Sequence, residues 1–196
     1  MFGKQFTLDI LLNAIKKAKP GVLMLGAHHY VQLSEHDFHA SGEISTDDLL
    51  SVTKIFPAGS AVPAICEQKL KEKFPNLESV FNGYGQTECG MISIGKRNSD
   101  LGLLHPAGQL KIVHPDSGKI CEPGEVGEIC FKGPSMMIEY LKRPIETDNF
   151  FDSDGFGRTG DIGYYDIDGK IRYVDRMKEL IKYMNTFQKF RRSLRA

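Results

Sequence analysis

From Asp9 to Lys19 the apolar residues fall at Ile10, Leu11, Ala14, Ile15 and Ala18, which is one face of a helix, and Pro20 halts the pattern. Val22-Leu23-Met24-Leu25 is a short apolar run between Gly21 and Gly26, as in a buried strand. Ser45-Thr46-Asp47-Asp48 stands before Leu49-Leu50 in the manner of a capping box, so a short helix is expected there. Lys54-Ile55-Phe56 reads as a second buried strand. Pro63 suits a first helical turn, and Ile65, Cys66, Leu70 and Phe74 form the inner face of a helix ending near Pro75. Glu78–Phe81 is the next strand. This alternation of helix and strand predicts a mostly parallel sheet covered by helices.

From about Leu101 the pattern changes. Segments become short and glycine-punctuated, with strands expected over Gln109–His114 and Val126–Lys132. Pro115-Asp116-Ser117-Gly118, Pro123-Gly124, Asp152–Gly155 and Asp166–Gly169 supply turns. That grammar predicts a small antiparallel sheet or barrel. The two D-x-D-G turns do not fit calcium loops. With Gly155 or Gly169 at loop position six, position one would be Phe150 or Tyr164, neither of which is a ligand. The basic tail, Lys189 to Ala196, reads as a frayed terminus.

Composition narrows the function classes. The 196 residues carry 25 basic and 25 acidic side chains, so the electrostatic footprint of a nucleic-acid binder is missing. No apolar run approaches the roughly 18–20 residues that span a bilayer. Cys66, Cys89, Cys121 and Cys130 contain no C-x-x-C pair and read as reduced thiols. His28–His29 and His36-x-x-His39 lack a completing Cys or Glu and read as surface or loop residues.

Three polar, glycine-dense segments carry the candidate chemistry. Ala58-Gly59-Ser60-Ala61 follows a strand, at the end where open α/β sheets bind ligands, and its small residues allow close approach. An ordinary β–α turn explains it equally well. Gly83-Tyr84-Gly85-Gln86-Thr87-Glu88 offers an aromatic ring between glycines, then a hydroxyl and a carboxylate suited to phosphate oxygens and Mg²⁺. Gly155–Asp161 places Asp161 in what reads as a rigid glycine turn, where a carboxylate can accept from ribose hydroxyls.

Taken in order, Tyr84-Gly85-Gln86-Thr87-Glu88, Gly127-Glu128-Ile129 with Gly133, Thr159-Gly160-Asp161 and Asp175–Tyr183 resemble successive motifs of the adenylate-forming superfamily, with Pro144 and Thr147 matching between them. Its members include acyl-CoA synthetases, 4-coumarate–CoA ligase and firefly luciferase. The resemblance implies an ATP-dependent acid–thiol ligase that activates a carboxylic acid as acyl-adenylate and transfers it to coenzyme A. A luciferase-type monooxygenase and a non-catalytic nucleotide-binding or structural remnant are the alternatives. By position, Gly59, Ser60 and Ala61 would line the adenine and acyl pocket, beside Gly83 and Gly85. Tyr84 would stack on adenine, Thr87 would contact phosphate and Glu88 would help hold Mg²⁺. Asp161 would bind the ribose of ATP or AMP with Arg176, Asp175 would be a hinge, and Lys182 would serve thioester formation.

The resemblance also sets an organisation. Residues 1–100 would be part of the large α/β domain, 101–174 a β-rich, barrel-like subdomain, and 175–196 the hinge and start of a C-terminal domain. The family's lysine-ended phosphate loop and terminal lysine would lie upstream and downstream, so the chain reads as an interior piece expected to be catalytically poor alone. Relatives occupy the cytoplasm or the peroxisome; Leu194-Arg195-Ala196 is not a peroxisomal address. Acid identity and oligomeric state are not legible.

Overall fold

The computed structural model describes residues 6–38, 42, 44–59, 62–95, 102–183 and 186–189, with the backbone alone from 179 onward. The chain divides into two compact units, residues 1–83 with 95–98, and residues 84–94 with 99–196.

The first unit opens with α1 (Leu8–Ala18), which Thr7 caps through its side chain and Lys19 closes in the left-handed conformation. Of the predicted face, Leu11 and Ile15 are buried, but Ile10 is 41% exposed and Ala14 and Ala18 are exposed, while Leu12, which was not placed on it, is buried, so the core-facing side is rotated from the expected one. Then come β1 (Val22–Gly26), α2 (Ala27–Glu35), α3 (Thr46–Leu49), β2 (Lys54–Ala58), α4 (Ala64–Lys73) and β3 (Ser79–Val80). Ser45 and Asp48 form the expected capping box at α3, each satisfying the other's backbone N–H. β1, β2 and β3 pair in parallel in that order. Parallel neighbours need crossovers, which the intervening helices supply.

Buried Leu23, Leu25, Ile55 and Val80 from the sheet meet Leu12, Ile15, Leu33, Leu70 and Phe74 from the helices in one core. α2 was not anticipated. Its polar and aromatic residues mask the pattern, yet Tyr30, Leu33 and Ser34 are buried at i, i+3 and i+4. His28 and His29 lie on this helix and not in a loop.

In the second unit, β4 (Asn82–Gln86, which begins at the unit boundary), β5 (Gly90–Gly95) and β6 (Leu103–Leu104) form a three-stranded sheet. β7 (Gln109–Val113), β8 (Gly127–Lys132), β9 (Gly157–Tyr165) and β10 (Ile171–Arg176) form an open antiparallel sheet, paired in chain order. Of the sheet and the barrel that the pattern left open, the open sheet forms. α5 (Pro144–Phe150) begins on a proline at its first turn. A 3-10 turn (Met177–Glu179) leads into the hairpin β11 (Leu180–Tyr183) and β12 (Thr186–Lys189). Tyr84, Ile92, Ile112, Ile129, Phe131, Phe150 and Ile171 make the core of this unit. All four cysteines are free and buried, and burial pushes the Cys130 thiol up to about 12, so it stays protonated and inert.

Candidate functional site

The β4–β5 hairpin closes over Thr87–Cys89, with the Cys89 N–H donating to the Gln86 carbonyl at 3.2 Å. A Cβ on Gly85 would collide with the Gly90 carbonyl, so only glycine lets the two strands come together this closely. The residues after Lys132 then clasp the turn from outside. Met137 N–H donates to the Glu88 carbonyl at 2.8 Å. Ser135 Oγ donates to the Cys89 carbonyl at 2.6 Å.

Asp161 does not sit in a turn, as its glycines suggested. It lies inside β9, at an irregularity in the ladder with β8. Glu128 pairs with Ile162 and Cys130 with Arg158, so three residues, Thr159, Gly160 and Asp161, face the single Ile129. Gly160 takes φ +68, a left-handed conformation that glycine adopts without strain. Thr159 Oγ1 replaces the lost ladder contact by donating to the Ile129 carbonyl at 2.7 Å. The Gly160 N–H donates to Glu128 Oε1 at 3.2 Å. Extra residues on one strand re-aim its side chains, and here the bulge aims Asp161 at the β4 strand.

Asp161 is 1% exposed, and its two oxygens are treated unequally. Oδ2 accepts from the Tyr84 hydroxyl at 2.7 Å and from Gln86 Nε2 at 2.8 Å. Oδ1 has Arg176 Nε at 2.9 Å, but off the N–H axis, so it has an ionic neighbour and no aligned hydrogen bond. The contact distance and the missing hydrogen bond disagree only in appearance, since Coulomb attraction tolerates an angle that a hydrogen bond does not. Arg176 is half exposed and also donates to the Thr159 carbonyl. Burial beside the Asp161 carboxylate drives the Tyr84 phenol well above its ordinary range, so it remains a proton donor.

A cleft of about 940 Å³ opens in this unit. Gly85, Gln86, Thr87 and Glu88 line one part of it, Glu128, Arg158, Thr159 and Gly160 another, and Tyr140, Arg143 and Glu146 a third. Asn149, Phe150, Arg176, Met177 and Lys178 complete the lining. Four cations (Arg143, Arg158, Arg176, Lys178) face three carboxylates (Glu88, Glu128, Glu146), a balance that favours an anion able to bring its own counter-ion. Burial raises the Glu128 carboxyl above the usual range, and the Gly160 N–H opposes that.

The structure therefore gathers Gly85, Thr87, Glu88 and Arg176 around one cleft, while Asp161 and Tyr84 are buried next to its wall at 1% and 8% exposure, Asp161 touching the lining residues Gln86 and Arg176. Asp175 is 9% exposed and its Oδ1 accepts from the Arg176 N–H. Gly59, at φ +93, and Gly83 belong to the first unit. Ser60 and Ala61 lie outside the described residues. Lys182 pairs with Phe187 through the backbone of β11, and its side chain lies outside the description. Glu128, Gln86 and Tyr140 enter the site without having been singled out from sequence as site residues. Gln86 and Glu128 stand inside quoted motifs whose other residues were given the roles, and Tyr140 lies four residues before Pro144.

No group of three or more His, Cys, Asp or Glu side chains able to hold a metal occurs among the described residues. Mg²⁺ is compatible with less, because it commonly takes one or two carboxylates and completes its shell with water and phosphate oxygens. Glu88, at the cleft wall beside the Thr87 hydroxyl, fits that requirement.

The fold is of the adenylate-forming type. Residues 2–141 match the family described as AMP-binding enzyme, and the chain belongs to that family. It is 37% identical over 187 residues to acyl-CoA synthetase 7 of Caenorhabditis elegans, covering 93% of this chain and 33% of that protein. It is 32% identical to 4-coumarate–CoA ligase 1 of Arabidopsis thaliana, covering 91% and 33% respectively. The luciferase-like enzyme of the nonluminescent mealworm Zophobas morio superposes with a TM-score of 0.76 at 30% identity, over 91% of this chain and 42% of that one. The chain thus spans about a third of the curated relatives named here.

Proposed function

We propose that this chain carries the nucleotide cleft of an ATP-dependent acid–thiol ligase. In the reaction, an oxygen of the carboxylic acid attacks the α-phosphorus and the bond to the β-phosphate breaks, releasing pyrophosphate. The thiol of coenzyme A then attacks the acyl carbon and AMP leaves. Two relatives named for CoA ligase or acyl-CoA synthetase activity favour this over oxygenase chemistry.

The observation that carries the nucleotide assignment is Asp161. A buried carboxylate with one oxygen doubly hydrogen-bonded and the other lacking any aligned donor is suited to a ligand hydroxyl. Arg176, half exposed above Oδ1, swings aside to admit the ribose and then adds its own donors. Thr87 contacts phosphate oxygens, and Glu88 holds Mg²⁺, which when bound neutralises charge developing on the phosphates. Tyr84 fixes Asp161 by its hydroxyl while the uncovered part of its ring meets the adenine. Asp175 serves as the hinge residue, Lys182 acts in the thioester half-reaction, and Gly59, Ser60, Ala61 and Gly83 line the acyl and adenine pocket. The acid is fatty or aromatic. With a third of its relatives' length, the chain is expected to bind nucleotide but turn it over poorly.

Calorimetric titration tests the assignment. ATP should bind the wild type more tightly than 2′,3′-dideoxy-ATP, and Asp161→Ala should erase that preference. A hydrogen bond to a charged group is worth about 1.5–3 kcal/mol, so a difference of roughly tenfold or more is expected. Equal affinity for the two nucleotides, or no binding, would remove the ribose role.

A further inference from the structure

The geometry points to Tyr140 as the positioning residue for Glu88, an assignment that rests on the nucleotide reading above. The Tyr140 hydroxyl donates to Glu88 Oε1 at 2.7 Å. A neutral donor on a carboxylate makes a short, charge-assisted bond that fixes the plane of the acceptor.

Tyr140 is itself held from several sides. Its N–H donates to Thr147 Oγ1 at 3.0 Å, and Thr147 Oγ1 donates to the Arg143 carbonyl at 2.8 Å. Its carbonyl accepts from the Arg143 N–H at 3.0 Å. Its ring stands edge-on to Phe150, with centroids 6.1 Å apart. Because the Met137 N–H already holds the Glu88 backbone, carboxylate and main chain are pinned independently by the same segment. With Oε1 occupied by a donor from the protein, the rest of the carboxylate is presented to the cleft in one orientation. Partners that orient a metal ligand in this way tune its affinity while never touching the metal.

The test is ATP affinity of the full chain, with Mg²⁺ and with Mg²⁺ removed by EDTA, for wild type, Tyr140→Phe, Glu88→Gln and the double variant. Tyr140→Phe should shrink the magnesium-dependent gain roughly tenfold, well beyond any change in metal-free ATP affinity. The double variant should lose no more than Glu88→Gln alone. A purely structural tyrosine would weaken both affinities together, and that result would overturn the assignment, as would an unchanged magnesium gain. Wild-type binding with no gain from Mg²⁺ would also overturn it while leaving the ribose reading standing; no ATP binding at all would remove both. Should Tyr140→Phe not fold, Thr147→Ala loosens the Tyr140 backbone and leaves phenol and carboxylate in place, and a smaller loss of the same kind is expected.

Discussion

Lys19 meets Asp48 at 2.6 Å and Lys69 meets Glu35 at 2.8 Å, both at the rim of the first unit where water reaches them. Asp161, Glu128 and Asp175 of the second unit are 1%, 7% and 9% exposed. The first unit uses charge to cap and solubilise helices around an apolar core. The second withdraws carboxylates from water and holds them with named donors. Solvent-screened pairs contribute little to stability, whereas a buried carboxylate is costly unless each oxygen is answered. The second unit therefore accepts a cost of the kind that the proposed nucleotide site would bring with it.

The largest expected effect sharpens the contrast from the apolar side. Phe74 is 1% exposed, packed edge-on against Phe38 with centroids 5.9 Å apart. Phe74→Ala should destabilise the chain by about 3–5 kcal/mol, read from urea denaturation. Nucleotide affinity of the folded fraction should stay at the wild-type value. A large loss of affinity without unfolding would show that the first unit's core shapes the cleft, and the comparison would break.

A smaller effect is expected from Tyr84→Phe. Removing this donor leaves Asp161 Oδ2 with Gln86 alone, at a cost of about 1–3 kcal/mol of stability. Unlike Phe74→Ala, this change should also weaken ATP relative to dideoxy-ATP, because Asp161 loses its orientation. A stability loss with nucleotide preference intact would make Tyr84 a core tyrosine only.

Much of the first unit was legible because its elements are local. The Ser45–Asp48 capping box, the Pro63 helix start and the extent of α1 each depend on residues a few positions apart. α2 escaped because its core-facing set includes Ser34, which donates to the Val31 carbonyl and so buries a polar side chain in an apolar position. In the second unit the motifs were legible as motifs, and their geometry was not. That Thr159-Gly160-Asp161 is a strand bulge depends on its register with β8, thirty residues away in sequence. Likewise, nothing local to Tyr140 foretells its bond to Glu88, which spans 52 positions.

The smallest effect is one of sign, and it separates the two units by pH. Burial raises the Glu128 carboxyl above its unfolded value of about 4.3, with the Gly160 N–H offsetting part of the rise. Between the unfolded and folded values the native chain holds a proton that the unfolded chain has released. Stability from this group therefore falls as pH climbs through that window. Glu35 behaves oppositely: the Lys69 hydrogen bond lowers its carboxyl, so its contribution is present above the unfolded value and is lost as pH falls. Gln cannot titrate and can still accept from Gly160 N–H. Glu128→Gln should then gain stability relative to wild type as pH rises above about 4.3, while Glu35→Gln should lose it relative to wild type as pH rises towards that value from below. Urea midpoints at several pH values measure both slopes. Parallel slopes for the two variants would mean that Glu128 is as well solvated as Glu35, and the contrast between an answered surface and a withdrawn interior would not hold at this position.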